Sequence, residues 1–246
     1  MKNIYTQIQK SIASGKKLFV VLIDPDKCVG ECLTRFTELA KQAEIDFIFI
    51  GGSLTTESTD QAIESIKKAC NIPVVLFPGS ASQFSPKADA MLYLSLISGR
   101  NPDFLIGQHV VSAPFIKKSG VETISTGYLL IESGSTTSVE YMSNTRAIPR
   151  EKTSIAVATA IAGELLGNKL IYLEAGSGAK LPVPIEMIQT VKQNISIPLI
   201  VGGGLRTKTD IQSALEAGAD IIVVGNILEK EPELMIEFGR MVKKIT

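Results

Sequence analysis

The sequence predicts an α/β chain folded as a TIM (β/α)8 barrel. Three observations carry that expectation. Eight short apolar runs recur along the 246 residues. They are near-continuously apolar rather than alternating, as strands buried on both faces of a parallel sheet must be. Amphipathic helical stretches separate most of them, and eight such pairs in about 250 residues is the size of this barrel.

The runs are LFVVLID (18–24), DFIFIGG (46–52), PVVLFPG (73–79), AMLYLS (90–95), YLLIES (128–133, or VETIST just before it), KLIYLEAG (169–176), PLIVGGG (198–204) and DIIVVGN (220–226). Helical periodicity follows at 32–44, 60–70, 104–118, 154–167, 184–194, 210–218 and 234–245. Only SASQFSPKAD lies between the third and fourth runs, so helix three is reduced or replaced by a loop. A doubly wound sheet is the competing fold, but no GxGxxG follows the first strand. No linker-like break interrupts the chain, which reads as a single domain over 1–246. The longest irregular stretch, GSTTSVEYMSNTRAIPRE (134–151), follows strand five as a lid or an interface loop.

Composition narrows the function. Lys+Arg and Asp+Glu are both 25, giving no net charge and no basic excess of the kind a nucleic-acid binder shows. Cys28, Cys32 and Cys70 have no paired spacing, which argues against a disulfide framework. Cys28 and Cys32 lie one helical turn apart with no histidine near, and read as apolar filler rather than metal ligands. The first 17 residues lack the apolar core of a signal peptide, and no run approaches the roughly 20 apolar residues of a membrane span. A cytoplasmic protein with no stable membrane insertion is expected.

Catalytic residues of a barrel sit where strands end. Strand seven closes on Gly202, Gly203 and Gly204, and strand eight on Gly225 and Asn226. Glycines let backbone N–H groups close around a phosphate, and the loops after strands seven and eight are this fold's usual phosphate site. Strand one ends in IDPDK, bringing Asp24, Asp26 and Lys27 to the same mouth, and strand two adds Ser53. A carboxylate beside a hydroxyl suits Mg²⁺, which takes few protein oxygens and shares the rest with substrate phosphates. Asp24 is the expected ligand; Asp26, already turning away, suits a helix cap. Strand six ends in YLEAGSG. Tyr172 and Glu174 share a strand face, so a carboxylate beside a phenol could orient or deprotonate a substrate hydroxyl. Arg100, in SGRNP after strand four, suits a diphosphate. The only histidine, His109, lies inside a helix and reads as structural.

Together, IDPDK, FIGGS, SGRNP, YLEAGSGA, VGGGLRT and VVGN resemble, in order and over nearly the whole chain, the geranylgeranylglyceryl phosphate synthase family. They are also similar to the heptaprenylglyceryl phosphate synthases. The resemblance implies a Mg²⁺-dependent barrel prenyltransferase acting on sn-glycerol 1-phosphate and a prenyl diphosphate. It implies that Asp24 and Ser53 hold the metal, and that Lys27 and Arg100 meet the diphosphate. Tyr172, Leu173, Glu174, Ala175, Gly176, Ser177 and Gly178 would line the glycerol 1-phosphate pocket, with Tyr172 and Glu174 catalytic. Gly203, Gly204, Gly225 and Asn226 would bind its phosphate. The missing helix three would open the barrel side to a long chain, and the 134–151 segment with Tyr141 would suit a homo-oligomer, dimer or hexamer. Two rivals stand against this. One is another phosphate-binding barrel, such as a sugar-phosphate isomerase, a lyase or a flavin-dependent oxidoreductase. The other is a barrel kept for assembly or sensing.

Overall fold

A computed structural model describes residues 3–245; residues 1, 2 and 246 of the expected 1–246 domain lie outside the described residues. Eight parallel strands close into one barrel in chain order: β1 (Leu18–Ile23), β2 (Phe47–Ile50), β3 (Val74–Leu76), β4 (Ala90–Leu96), β5 (Glu122–Leu130), β6 (Leu170–Glu174), β7 (Leu199–Gly202) and β8 (Ile221–Val224). The TIM-barrel expectation holds. The helices are α1 (Ile4–Ala13), α2 (Glu31–Gln42), α3 (Thr59–Ala69), α4 (Gln108–Ser119), α5 (Ser138–Ser143), α6 (Thr153–Leu165), α7 (Ile185–Asn194), α8 (Lys208–Glu216), α9 (Asn226–Lys230) and α10 (Leu234–Val242).

Period-two packing sorts each strand into two apolar layers. In β1, Leu18 and Val20 face the barrel interior, whereas Phe19, Val21 and Ile23 meet the helices. In β6, Leu170 and Tyr172 point inward and Ile171 and Leu173 outward. This parity places every second residue beyond a strand end at the mouth of the barrel.

Three features depart from a regular barrel. Between β3 and β4 there is only a 3-10 turn, Ala81–Gln83, so the wall is thin where helix three would stand, as expected. The two alternatives for strand five are one strand, since β5 takes in residues from both. The third is α1, which periodicity did not single out. Its N-cap Asn3 accepts from the Thr6 N–H, and the Glu122 carboxylate accepts from the Ile4 and Tyr5 N–H groups at 2.6 and 2.9 Å. These bonds satisfy donors that a helix start leaves open. Ile4 and Ile8 then plug the barrel floor against the interior layer.

Candidate active site

At the opposite end from α1, the strand termini and their loops surround a cavity of ≈ 1010 Å³. Its floor is Tyr172 and Glu174, both at the end of β6. Glu174 is buried, and its Oε1 accepts the Gly176 N–H at 2.7 Å. Burial pushes the carboxyl up to about 7, against the neighbouring Tyr172 hydroxyl and the Gly176 N–H, which favour the charged form. Tyr172 Oη is buried without a hydrogen-bond partner. Burial and then the Glu174 charge raise its pKa well above the ordinary value, so it remains a phenol that can donate.

Gly202 exists where it does because of this pair. A Cβ there would lie 2.5 Å from Tyr172 Oη and 2.9 Å from Glu174 Oε2. The rim above is built by the loops after β6, β7 and β8, where Gly176, Ser177, Gly178, Gly203, Gly204, Gly225 and Asn226 line the cavity. The amides of Gly178, Gly203 and Gly204 donate to nothing among the described residues, which leaves them open to an anion. Ser177 Oγ and the Asn226 side chain meet at 3.2 Å, tying the sixth and eighth loops together. Leu173 and Ala175, expected in the same pocket, turn their side chains into the layer under the helices. Strand parity excludes them; Ala175 contributes a backbone bond to the Gly202 carbonyl instead.

Asp24 and Lys27 stand across the mouth. Asp24 Oδ1 accepts the Asp26 N–H at 3.1 Å, and Oδ2 lies 3.2 Å from Lys27 Nζ. The same ammonium is 3.4 Å from Glu229 on α9. Burial works against the Lys27 charge, but Glu229 and Asp24 outweigh it and hold its pKa above the usual value. Asp26 is a different matter. Its carboxylate accepts the Thr56 and Glu57 N–H groups at 2.8–2.9 Å and the Thr56 hydroxyl, so it fastens the β2–α3 loop rather than capping α2.

This corner fits Mg²⁺. The Asp24 carboxylate packs on Gly52, whose Cβ would lie 3.4 Å from Oδ2, and Ser53 follows at the cavity wall. Lys27 already answers the Asp24 charge with a cation. Among the described residues no three His, Cys, Asp or Glu groups cluster to hold a metal by themselves. One carboxylate and a hydroxyl suit a cation that draws its remaining ligands from substrate phosphates and water.

From the mouth an apolar slot runs sideways through the wall where only the 3-10 turn, and no α-helix, follows β3. Phe77, Pro78, Met91, Leu94, Leu96 and Phe104 line it, and Ser53, Phe77, Tyr128, Val139 and Met142 belong to both spaces. Phe77, Tyr128 and Tyr172 form an aromatic junction, with ring centroids 5.4–6.1 Å apart. His109 belongs to the slot wall, edge-on to Tyr93 at 4.6 Å and bonded to Ser95 Oγ at 3.1 Å. Burial lowers its pKa, in keeping with a neutral structural imidazole.

Arg100 is not brought to this cluster. Its guanidinium folds back on the Gly99 and Ile97 carbonyls at 2.8 and 3.4 Å, and it lines neither space. The chain leaves the barrel at Leu96, and Asn101 is pinned to the Ser143 carbonyl, so the arginine between them projects outward. Sequence reasoning missed Glu229, Arg206 and Thr137, all of which line the mouth. Arg206 directly follows the VGGGL signal; Glu229 and Thr137 had none, since one is a surface-type helix residue and the other lay in the irregular 134–151 stretch. That stretch contains the short helix α5 over the mouth.

A closed (β/α)8 barrel with open amides on the loops after β6 and β7, a buried acid below them and an apolar side exit defines a phosphate-binding barrel enzyme with a lipid-like second substrate. Comparison with known proteins sharpens this. Residues 10–243 match the PcrB family. A geranylgeranylglyceryl phosphate synthase of Chitinophaga pinensis is 52% identical over 96% of this chain and 94% of its own. One of Flavobacterium johnsoniae is 51% identical over 94% and 96%. The crystal structure of (S)-3-O-geranylgeranylglyceryl phosphate synthase from Thermoplasma acidophilum, in complex with its substrate sn-glycerol-1-phosphate, superposes with a TM-score of 0.93. It is 32% identical and covers 99% of this chain and 100% of its own. The chain belongs to the PcrB family of geranylgeranylglyceryl phosphate synthases.

Proposed function

We propose that this protein is a Mg²⁺-dependent prenyltransferase. It joins a long prenyl diphosphate, geranylgeranyl diphosphate by analogy with its relatives, to the C3 hydroxyl of sn-glycerol 1-phosphate. The products are an ether and diphosphate. The observation that carries the reading is the continuity of three environments: open glycine amides, the buried Tyr172–Glu174 pair, and an apolar slot that starts at Ser53 and Phe77.

In this reading the acceptor's phosphate sits on the amides of Gly203, Gly204, Gly225 and Asn226, with Ser177 and Gly178 closing the rim. Its glycerol hangs down to Tyr172 and Glu174. The prenyl chain lies in the slot, and its diphosphate emerges beside Asp24, Lys27 and Ser53. When bound, Mg²⁺ neutralises charge on the leaving diphosphate, and Asp24 and Ser53 would hold it. Lys27, kept protonated by Asp24 and Glu229, adds a fixed positive charge at the same place. The bond from C1 of the prenyl chain to the diphosphate oxygen breaks, and the C3 oxygen forms the new bond to C1. Glu174 takes the C3 proton, a task suited to a carboxyl poised near neutrality. The aromatic junction keeps water from the allylic carbon as positive charge develops there.

The protein is further proposed to work in the cytoplasm as a homo-oligomer. No helix among the described residues is long and apolar enough to cross a membrane.

The test is diphosphate release with Mg²⁺, geranylgeranyl diphosphate and either sn-glycerol 1-phosphate or its 3-phosphate enantiomer. Turnover with the 1-phosphate alone is expected. Silence with both acceptors across donors of different length moves the function to another phosphate-binding barrel chemistry.

A further inference from the structure

The Lys27 ammonium stands where a cation approaching Asp24 would have to go. The two oxygens of the Asp24 carboxylate are occupied differently. Oδ1 accepts the Asp26 N–H at 3.1 Å, which fixes the turn after β1. Oδ2 lies against Gly52, next to Ser53, and Lys27 Nζ reaches it at 3.2 Å. The same turn returns the Lys27 N–H to the Asp24 carbonyl at 3.0 Å, which keeps the two side chains together. The oxygen nearest Ser53 is therefore already taken, by a cation that belongs to the chain.

A second acid stands beside this pair. The last strand closes on the first, so α9, which opens at Asn226 on the phosphate rim, carries Glu229 up to Lys27. Both Glu229 carboxylate oxygens lie 3.4 Å from Nζ. Among the described residues neither Asp24 nor Glu229 has another ion-pair partner. The acids are the fixed part of the group: their side chains are 17% and 20% exposed, against 45% for Lys27. An ammonium on a flexible four-carbon stem can shift between two such acids without leaving either far behind. Of the three groups, one negative charge is left unanswered.

We propose that Glu229 is a positioning residue that works through Lys27, keeping the ammonium when a divalent cation takes Asp24. This rests on the assignment of Asp24 and Ser53 to Mg²⁺ made above. Two cations on one carboxylate oxygen repel each other, so Lys27 has to leave Oδ2 as the metal arrives. With Glu229 at hand the ammonium only turns, and it stays at the cavity edge where the diphosphate emerges. Without Glu229 the lysine has Asp24 as its one protein anion, and an incoming cation must compete for that carboxylate. Glu229 thus sets how readily this corner exchanges its own cation for the one that accompanies substrate.

Mn²⁺ binding without either substrate, read from the electron paramagnetic resonance signal of the free ion, tests the exchange apart from turnover. D24N should bind Mn²⁺ about tenfold more weakly than wild type. Equal binding takes the cation off Asp24 and overturns both the exchange and the metal assignment beneath it. If D24N is weakened, the assignment stands and the remaining variants judge the exchange alone. K27M should bind about tenfold more tightly than wild type, since the competing ammonium is gone, while K27R should bind like wild type. E229Q should bind about tenfold more weakly, yet K27M/E229Q should stay within about twofold of K27M, the residue of a screened through-space attraction. Unchanged affinity in K27M or in E229Q overturns the exchange. So does an E229Q loss as large in the K27M background as in wild type, which would make Glu229 act on the cation directly.

Discussion

Glu174 and Gly203 fit each other as an acid and the gap that admits it. A Cβ on Gly203 would lie 2.2 Å from Glu174 Oε1 and 2.7 Å from the Ala175 and Gly176 nitrogens, and Gly203 holds φ at +78°. The phosphate loop and the acid below it are therefore one packed unit. A side chain in the loop cannot be accommodated without moving the carboxylate.

Gly203→Ala accordingly should damage both stability and acceptor binding. The left-handed backbone alone costs about 1–2 kcal/mol for a residue with a Cβ, or roughly 2–8 °C in Tm for a domain of this size. The KM for glycerol 1-phosphate should rise, with the donor KM little changed. A thermal melt and steady-state kinetics check this, and a variant with both KM values intact removes Gly203 from the phosphate site. Gly225→Ala is the contrast: its Cβ would find only ordinary contacts near 3.5 Å with Leu22, so its melting temperature should hardly move.

Glu174→Gln should lower turnover by roughly 10²–10⁴-fold, the usual value of a positioned acid or base, with a modest change in acceptor KM. In the wild type, kcat should rise as pH rises through about 7, because the carboxylate is the active form. The acceptor phosphate also titrates, near pH 6. Comparing profiles of wild type and variant separates the two; an identical rising limb in both would show that Glu174 is not the base.

The same carboxyl makes stability depend on pH. Unfolded, it releases its proton near the ordinary glutamate value of 4.5; folded, at about 7. Between those values the native state holds the extra proton, so stability falls as pH rises through that window. The loss is on the order of 3 kcal/mol at most. Urea unfolding at pH 5 and pH 8 should show this decline in the wild type and less of it in Glu174→Gln. Equal declines would assign the effect to other groups.

Tyr172→Phe should change stability little, because Oη makes no hydrogen bond of normal geometry, but it removes the hydroxyl that favours the Glu174 carboxylate, so the rising limb of the pH profile should move to higher pH. Turnover should nevertheless fall if Oη meets the acceptor. A variant that is both less stable and fully active would reverse this assignment.

Asp24 and Asp26, one residue apart, should respond differently. Asp24→Asn should lower turnover by about 10²-fold, in the range lost with one well-placed electrostatic group, and raise the Mg²⁺ concentration needed for activity. Asp26→Asn should leave the Mg²⁺ titration in place and increase proteolysis around Thr56 and Glu57, the residues its carboxylate fastens. The two titrations compared side by side decide which aspartate serves the metal.

The sequence by itself determined the barrel and its mouth. Buried parallel strands must be apolar on both faces, so LIV and IIVV runs were visible, and barrel geometry put the residues ending them at one rim. Glycines needed for close approach and the inward parity of Tyr172 and Glu174 were legible for the same local reason. What followed from packing between distant segments was not. The α1 plug depends on Glu122, more than a hundred residues away. Glu229 meets Lys27 only because the last strand closes on the first. Arg100 turns outward because Asn101 is held by Ser143, and Leu173 and Ala175 leave the pocket through strand parity at its edge. Local patterns report which backbone a segment adopts; the direction of a long side chain and the neighbour that fixes it are decided only when the ring closes.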